Sequence, residues 1–255
     1  MNQFIYRIQL SIKVFIKLVN LEVFSSLEYE DLTNQFILIV PSSLLITMIT
    51  SFFISLVLSL QIVKEFLYLN ASDLVGPILA ISFIRELSPV LTSIIVIGKI
   101  GSFITAEIAT MSVTEQIDAL LILGVNPINY LFLPRIIAML LALPLLNLLS
   151  VFTSLMSSSF ICVLIYSIDT TFFFCSLIYD FFYLDILKSI LKTLIFGLYI
   201  SVISCVWGFT TRGGSKQVGL SITSSVVTSL ICLFILNFIL SYLVFNNSVS
   251  SFKVL

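Results

Sequence analysis

Between Asp31 and Lys64 the chain carries no charged side chain, and the stretches 136–165 and 220–245 are equally bare. A bilayer crossing needs about 20 consecutive apolar residues, so each of these runs is long enough to span. Composition agrees: of 255 residues, 59% are hydrophobic and 10% charged, against about 25% charged in a typical soluble domain. Water cannot solvate such a surface, and the sequence predicts an all-α integral membrane protein.

Five spans are expected, at 36–62, 74–111, 136–165, 190–209 and 220–245, within a single membrane domain covering 1–255. Residues 1–24 alternate polar and apolar at helical spacing. Phe4, Ile5, Ile8, Ile12, Phe15, Ile16 and Val19 share one face, with Gln9, Lys13, Lys17 and Asn20 opposite. This predicts an amphipathic helix lying in the membrane interface. Residues 167–187, with three aspartates among aromatics, read as a loop with a short interfacial helix, and the Gly-rich 210–219 segment as a turn. Arg7, Lys13, Lys17, Arg135, Arg212 and Lys216 fall in segments assigned to one side, which predicts a cytoplasmic or stromal N-terminus.

Two local patterns could carry function. Ser112-Val113-Thr114-Glu115 has the form of a capping box, Asp118 suits the first turn of a helix, and Gly124 followed by Pro127 suits its end. The predicted helix, 113–123, is about 16 Å long and too short to span. Its apolar face, Ile117, Leu120 and Leu121, needs a packing partner; an interfacial loop helix and a docking helix for an ATPase both fit. The second pattern is charge inside the 74–111 span: Arg85, Glu86, Lys99 and Glu107. A charge at a helix centre costs roughly 2.5–3.5 kcal/mol on insertion scales, so such residues face protein or a wet cavity. A structural ion pair and the lining of a substrate path are both open. Pro89, Gly98 and Gly101 predict a kink or close packing there.

Several classes are disfavoured. The chain has no histidine, and Cys162, Cys175, Cys205 and Cys232 form no C-x-x-C pair, so no metal, cofactor or catalytic set is expected. Twelve basic against 13 acidic residues give no sign of nucleic-acid binding. Gly98-Lys99-Ile100 lacks the Ser/Thr of a phosphate-binding loop, so any nucleotide is hydrolysed by a partner. From these residues alone, a proton-coupled secondary transporter using Glu86 and Glu107 is the serious alternative, though no clear inverted repeat supports it. A membrane scaffold fits the hydropathy but not the charges.

The run from Gly76 to Pro144 contains GPILAISFIRELSPVL, then GKIGSFITAEIATMSVTEQIDALLILGVNPINYLFLPRIIA. It resembles the R-E-x-x-P-V-L, G-[KR]-x-G-x-x-x-x-A-E-[IL], T-E-Q-[IL], [GA]-V-[DN]-P and P-R pattern of MlaE-type lipid-transport permeases. Ser88 and Asn126 stand where that pattern more often has Gly and Asp. The resemblance implies a homodimer of five-span subunits in an ABC complex, served by a cytoplasmic or stromal ATPase and an MCE-domain lipid-binding protein. It implies phospholipids or related glycerolipids as substrate, and a plastid inner envelope or bacterial inner membrane as location. By position it puts Arg85, Glu86 and Glu107 at the lipid cavity. It makes 113–123 the coupling helix, with Glu115, Gln116, Ile117, Asp118, Leu120 and Leu121 toward the ATPase.

Overall fold

The computed structural model describes residues 2–19, 29–71, 74–167 and 182–245. Among these residues there are helices and turns and no strand. The elements are α1 (Asn2–Val19), α2 (Tyr29–Tyr68), α3 (Val75–Val113), the short α4 (Gln116–Ile122), α5 (Ile128–Leu164), α6 (Phe182–Phe209) and α7 (Ser215–Phe245). Helices α2, α3, α5, α6 and α7 are long and apolar enough to cross a membrane. In lipid every backbone N–H and C=O must be satisfied internally, which an uninterrupted helix does.

The spanning helices overrun the stretches expected from hydropathy. Helix α2 starts at Tyr29, where Glu30 and Asp31 in the first turn favour the positive end of the helix dipole. Its 40 residues measure roughly 60 Å, twice the ~30 Å hydrocarbon core, so its charged ends project beyond the apolar layer. Helix α6 begins at Phe182 and takes in Asp185, which sequence had placed in a loop; the rest of that expected loop, 168–181, lies outside the described residues. Arg135, likewise assigned to a loop, is inside α5 and 3% exposed. Their charge made these segments look like connections, and ion pairing explains why they are helical instead.

In α1, Ile8, Ile12 and Phe15 are exposed, as an interfacial helix requires, while Arg7, Leu10, Ser11 and Val14 form the turned-in stripe. Helix α3 is not a regular helix. Two π-turns interrupt it, Phe83–Leu87 and Ile97–Gly101. The first precedes Pro89, and the second contains both Gly98 and Gly101. A third π-turn, Ile128–Phe132, opens α5. Each inserts an extra residue into a turn and re-aims the side chains around it.

The chain divides into two compact units. The first comprises Met1–Ser43, Ile94–Leu143 and Leu194–Phe234. Small residues allow its helices to touch. Gly197 leaves room against the Met139 carbonyl, 3.1 Å from where a Cβ would stand, and a Cβ on Gly208 would lie 2.8 Å from Ile108 Cβ. The Thr105 hydroxyl is within hydrogen-bonding distance of the Ser204 carbonyl and Ser225 Oγ, at 3.2 and 3.0 Å. Because the contact at Gly208 involves a Cβ and the Thr105 carbonyl, neither can swing aside. Gly208→Leu is therefore expected to cost about 3 kcal/mol, read as a lowered thermal midpoint in detergent. A midpoint equal to wild type would show that α3 and α6 do not pack this tightly.

The second unit comprises Leu44–Ser93, Pro144–Thr193 and Ile235–Leu255. Its apolar core joins Val63, Val75, Leu79, Ala80, Phe83, Ile84, Val151 and Cys162. Beside it, Ser51, Ser55 and Ser59 of α2 recur every four residues and are buried. Ser51 bonds Thr153 of α5 at 2.6 Å, and Ser55 bonds Ser157. Small hydroxylated side chains permit close helix approach where lipid offers no hydrophobic drive.

Candidate functional site

The second unit holds a network of charges. Its origin is the π-turn before Pro89. In a regular helix the N–H of residue 89 would bond the Arg85 carbonyl, but proline has none. Lys192 Nζ, from α6, supplies a donor to that carbonyl at 2.9 Å. The same ammonium donates to Glu86 Oε2 at 3.0 Å and to Ser241 Oγ of α7 at 2.9 Å. Glu86 in turn accepts from Ser241 Oγ at 2.7 Å and from Asn237 Nδ2 at 3.2 Å. Arg85 donates from Nε and Nη2 to one oxygen of Asp185, at 2.9 and 2.7 Å.

Asp185 and Lys192 are two helical turns apart, on one face of α6, so the adjacent pair Arg85-Glu86 meets a matching acid and base. The Lys192 side chain is fully buried, whereas that of Glu86 is 43% exposed. In this pair the cation is sealed and the carboxylate open, whereas in the other pair Arg85 is 20% and Asp185 11% exposed. The sequence had singled out Arg85 and Glu86 but neither partner. The available signal was the i, i+7 spacing of Asp185 and Lys192 with opposite signs.

Glu107 is not part of this network. It belongs to the first unit, where Oε1 lies 3.1 Å from Arg135 Nη2. Lys99, also of the first unit, donates to the Ser42 carbonyl of α2. A helical wheel puts Arg85, Lys99 and Glu107 on one side of a straight helix. Two π-turns make α3 depart from that straight helix.

Around α4 the structure corrects the expected start of the helix and keeps its end. Ser112 caps nothing: its hydroxyl lies 2.9 Å from the Thr211 carbonyl and 3.3 Å from that of Phe209. With Ser112 engaged there, the helix starts at Gln116, and Glu115 sits before it at φ 60° with no side-chain cap. At the other end Gly124, at φ 77°, donates to Leu121 and Val125 donates to Leu120, which is the Schellman closure. Ile117 is only 5% exposed, so it packs against its own chain. Leu120 is half-buried, and Glu115, Gln116 and Asp118 are exposed. Leu121, Ile122 and Leu123 are 54, 86 and 76% exposed, a contiguous apolar surface of which only Leu121 had been expected. Next to it lies an apolar pocket of about 280 Å³ lined by Met111, Ile117, Leu120, Leu123, Tyr130 and Leu131, among others.

Comparison with known proteins agrees with this architecture. The family described as permease MlaE matches residues 32–243. A probable ABC transporter permease, ycf63, of Pyropia yezoensis is 43% identical over 251 residues, covering 98% of this chain and 95% of that protein. A probable ABC transporter permease, slr1045, of Synechocystis is 44% identical over 216 residues, covering 84% of this chain and 82% of the other. The chloroplastic protein TRIGALACTOSYLDIACYLGLYCEROL 1 of Arabidopsis thaliana is 44% identical over 213 residues, which are 84% of this chain and 61% of that longer one. With its five membrane-crossing helices and a match over most of its length, this integral membrane chain belongs to the MlaE permease family.

Proposed function

We propose that the chain is the permease subunit of an ABC-type transporter that moves phospholipids or related glycerolipids, driven by a separate ATPase. The observation that carries this reading is the Arg85–Asp185 and Glu86–Lys192 network, with the Glu86 carboxylate 43% exposed, in helices otherwise fit for lipid. Such a site offers charge to a polar headgroup while its surroundings accept acyl chains. Relatives named as ABC transporter permeases, and one whose name refers to a galactosylated diacylglycerol, support the same reading.

In this proposal Arg85 and Glu86 contact substrate, and Glu107, paired with Arg135, braces the other half of α3. The whole chain acts as one permease domain. α4 is the coupling helix, with Gln116, Asp118, Leu120 and Leu121 presented to the ATPase and Glu115 fixing its start. Two copies form the channel, and an MCE-domain protein exchanges lipid on the far side. The N-terminus faces the cytoplasm or stroma, and the membrane is a plastid inner envelope or a bacterial inner membrane.

A proton-coupled mechanism fits less well. Glu86 is held by an ammonium, a hydroxyl and an amide, all of which it would have to release in each cycle. The two readings separate in proteoliposomes containing the chain and its co-purified ATPase. Labelled phospholipid should move on adding ATP and not on imposing a pH gradient. Movement driven by the pH gradient alone would overturn the proposal.

A further inference from the structure

The first unit, which does not include the charged network, contains a polar cavity of about 600 Å³. Its lining includes Arg7 of α1, Thr210, Thr211 and Arg212 of the α6–α7 turn, and Ser221 and Ser224 of α7. Among the described residues, two arginines line it and no carboxylate does. A turn joining two membrane-crossing helices lies where membrane meets water, so the cavity opens at headgroup level.

Arg7 is held in place rather than free to wander. Its Nε donates to Thr210 Oγ1 at 2.9 Å, and its guanidinium lies over the Trp207 ring, 5.6 Å from the centroid. Trp207 is fixed in turn by donating from Nε1 to Ser224 Oγ at 2.8 Å. Burial lowers the pKa of Arg7 from its ordinary value, which marks a cation short of solvation. The partners it has found in the cavity are neutral. Arg212 stands exposed at the rim, where it also borders a second cleft beside Glu115 and Asp118. Leu220 and Val227, both about half exposed, complete the wall on the lipid-facing side of α7.

We infer that this cavity binds the phosphate of an anionic glycerophospholipid, with Arg7 at its base, Arg212 closing over it and the acyl chains running past Leu220 and Val227. A forked guanidinium matches phosphate oxygens, and a second cation with hydroxyls completes the shell. The apolar wall favours a lipid over a free phosphate, because a soluble anion gains nothing from it. The site is distinct from the network at Glu86, so a lipid here is an annular or regulatory ligand, separable from transported substrate.

The chain's one tryptophan provides the probe. In nanodiscs, Trp207 fluorescence is followed as phosphatidylcholine is replaced by brominated phosphatidic acid or by brominated phosphatidylcholine. Two charge-assisted contacts predict about tenfold tighter association of phosphatidic acid. Arg212→Gln changes an exposed side chain, so it leaves the fold intact, and it should bring the preference close to parity. Arg7→Lys, which keeps charge but loses the fork, should fall between. Equal quenching by the two lipids in wild type, or an unchanged preference in Arg212→Gln, overturns the site. Loss of the preference in millimolar inorganic phosphate would mean that a soluble phosphate compound is the ligand, and would overturn the lipid assignment. None of these readings involves the ATPase, so the result stands apart from the transport proposal.

Discussion

Replacing Glu86 by Ala is expected to destabilise the protein by roughly 3–5 kcal/mol, the cost of stripping a buried cation of its counter-charge. The asymmetry of exposure is the reason. Lys192 has no exposed side-chain surface, and the Glu86 carboxylate stands 3.0 Å from its ammonium. Once that carboxylate is gone, the ammonium keeps the Arg85 carbonyl and Ser241 but has lost the charge 3.0 Å away. Lys192→Met is the opposite case. It leaves a carboxylate that is 43% exposed and still accepts from Ser241 and Asn237, so its cost should be smaller. The double variant Glu86→Gln, Lys192→Met removes both charges and should regain most of the stability.

Unfolding in mixed micelles measures all three. Equal losses for the two single variants, or a double variant no better than Glu86→Ala, would remove the ion pair as the cause. The double variant also separates structure from transport. If it is stable but moves lipid poorly, the charges themselves handle substrate; if it moves lipid at the wild-type rate, the network only holds helices together.

Hydropathy made the five spans legible because lipid imposes a single rule on every residue of a crossing helix. The ends were less legible. Charges at Asp185 and Arg135 mark a loop when each is read alone, and only their partners, Arg85 and Glu107, make them interior. Such pairing joins residues about a hundred or about thirty positions apart, beyond any local window. The capping box failed for the same reason: Ser112 had a tertiary partner in the Thr211 carbonyl, which no four-residue pattern can anticipate. The Schellman ending at Gly124 depends on backbone geometry alone, and it was readable. Pro89 was readable as a disturbance but not as what it does, which is to leave the Arg85 carbonyl for Lys192.

Changing Leu121, Ile122 and Leu123 together to Asp is expected to abolish capture of the ATPase while leaving the permease folded. Three consecutive apolar residues more than half exposed contribute little to the packing of their own chain. α4 has seven residues, about 10 Å of helix, so it cannot span and bury them in lipid that way. The Schellman turn fixes where they project, and the adjacent pocket lined by Leu120, Leu123 and Tyr130 can receive an apolar side chain from a partner. Central apolar anchors of an interface each carry about 2 kcal/mol or more, so losing three should weaken binding at least roughly a thousandfold. Ile117→Asp serves as the contrast. At 5% exposure Ile117 packs inside its own unit, so its replacement should lower the thermal midpoint before it affects any partner. The decisive measurement is co-purification of the ATPase from cells expressing each variant, alongside the thermal midpoint of the purified permease. Full recovery of the ATPase with the triple variant would remove α4 as the coupling element. Its loss at an unchanged midpoint would place the coupling surface at the C-terminal end of the helix, beyond the Ile117 face that periodicity suggested.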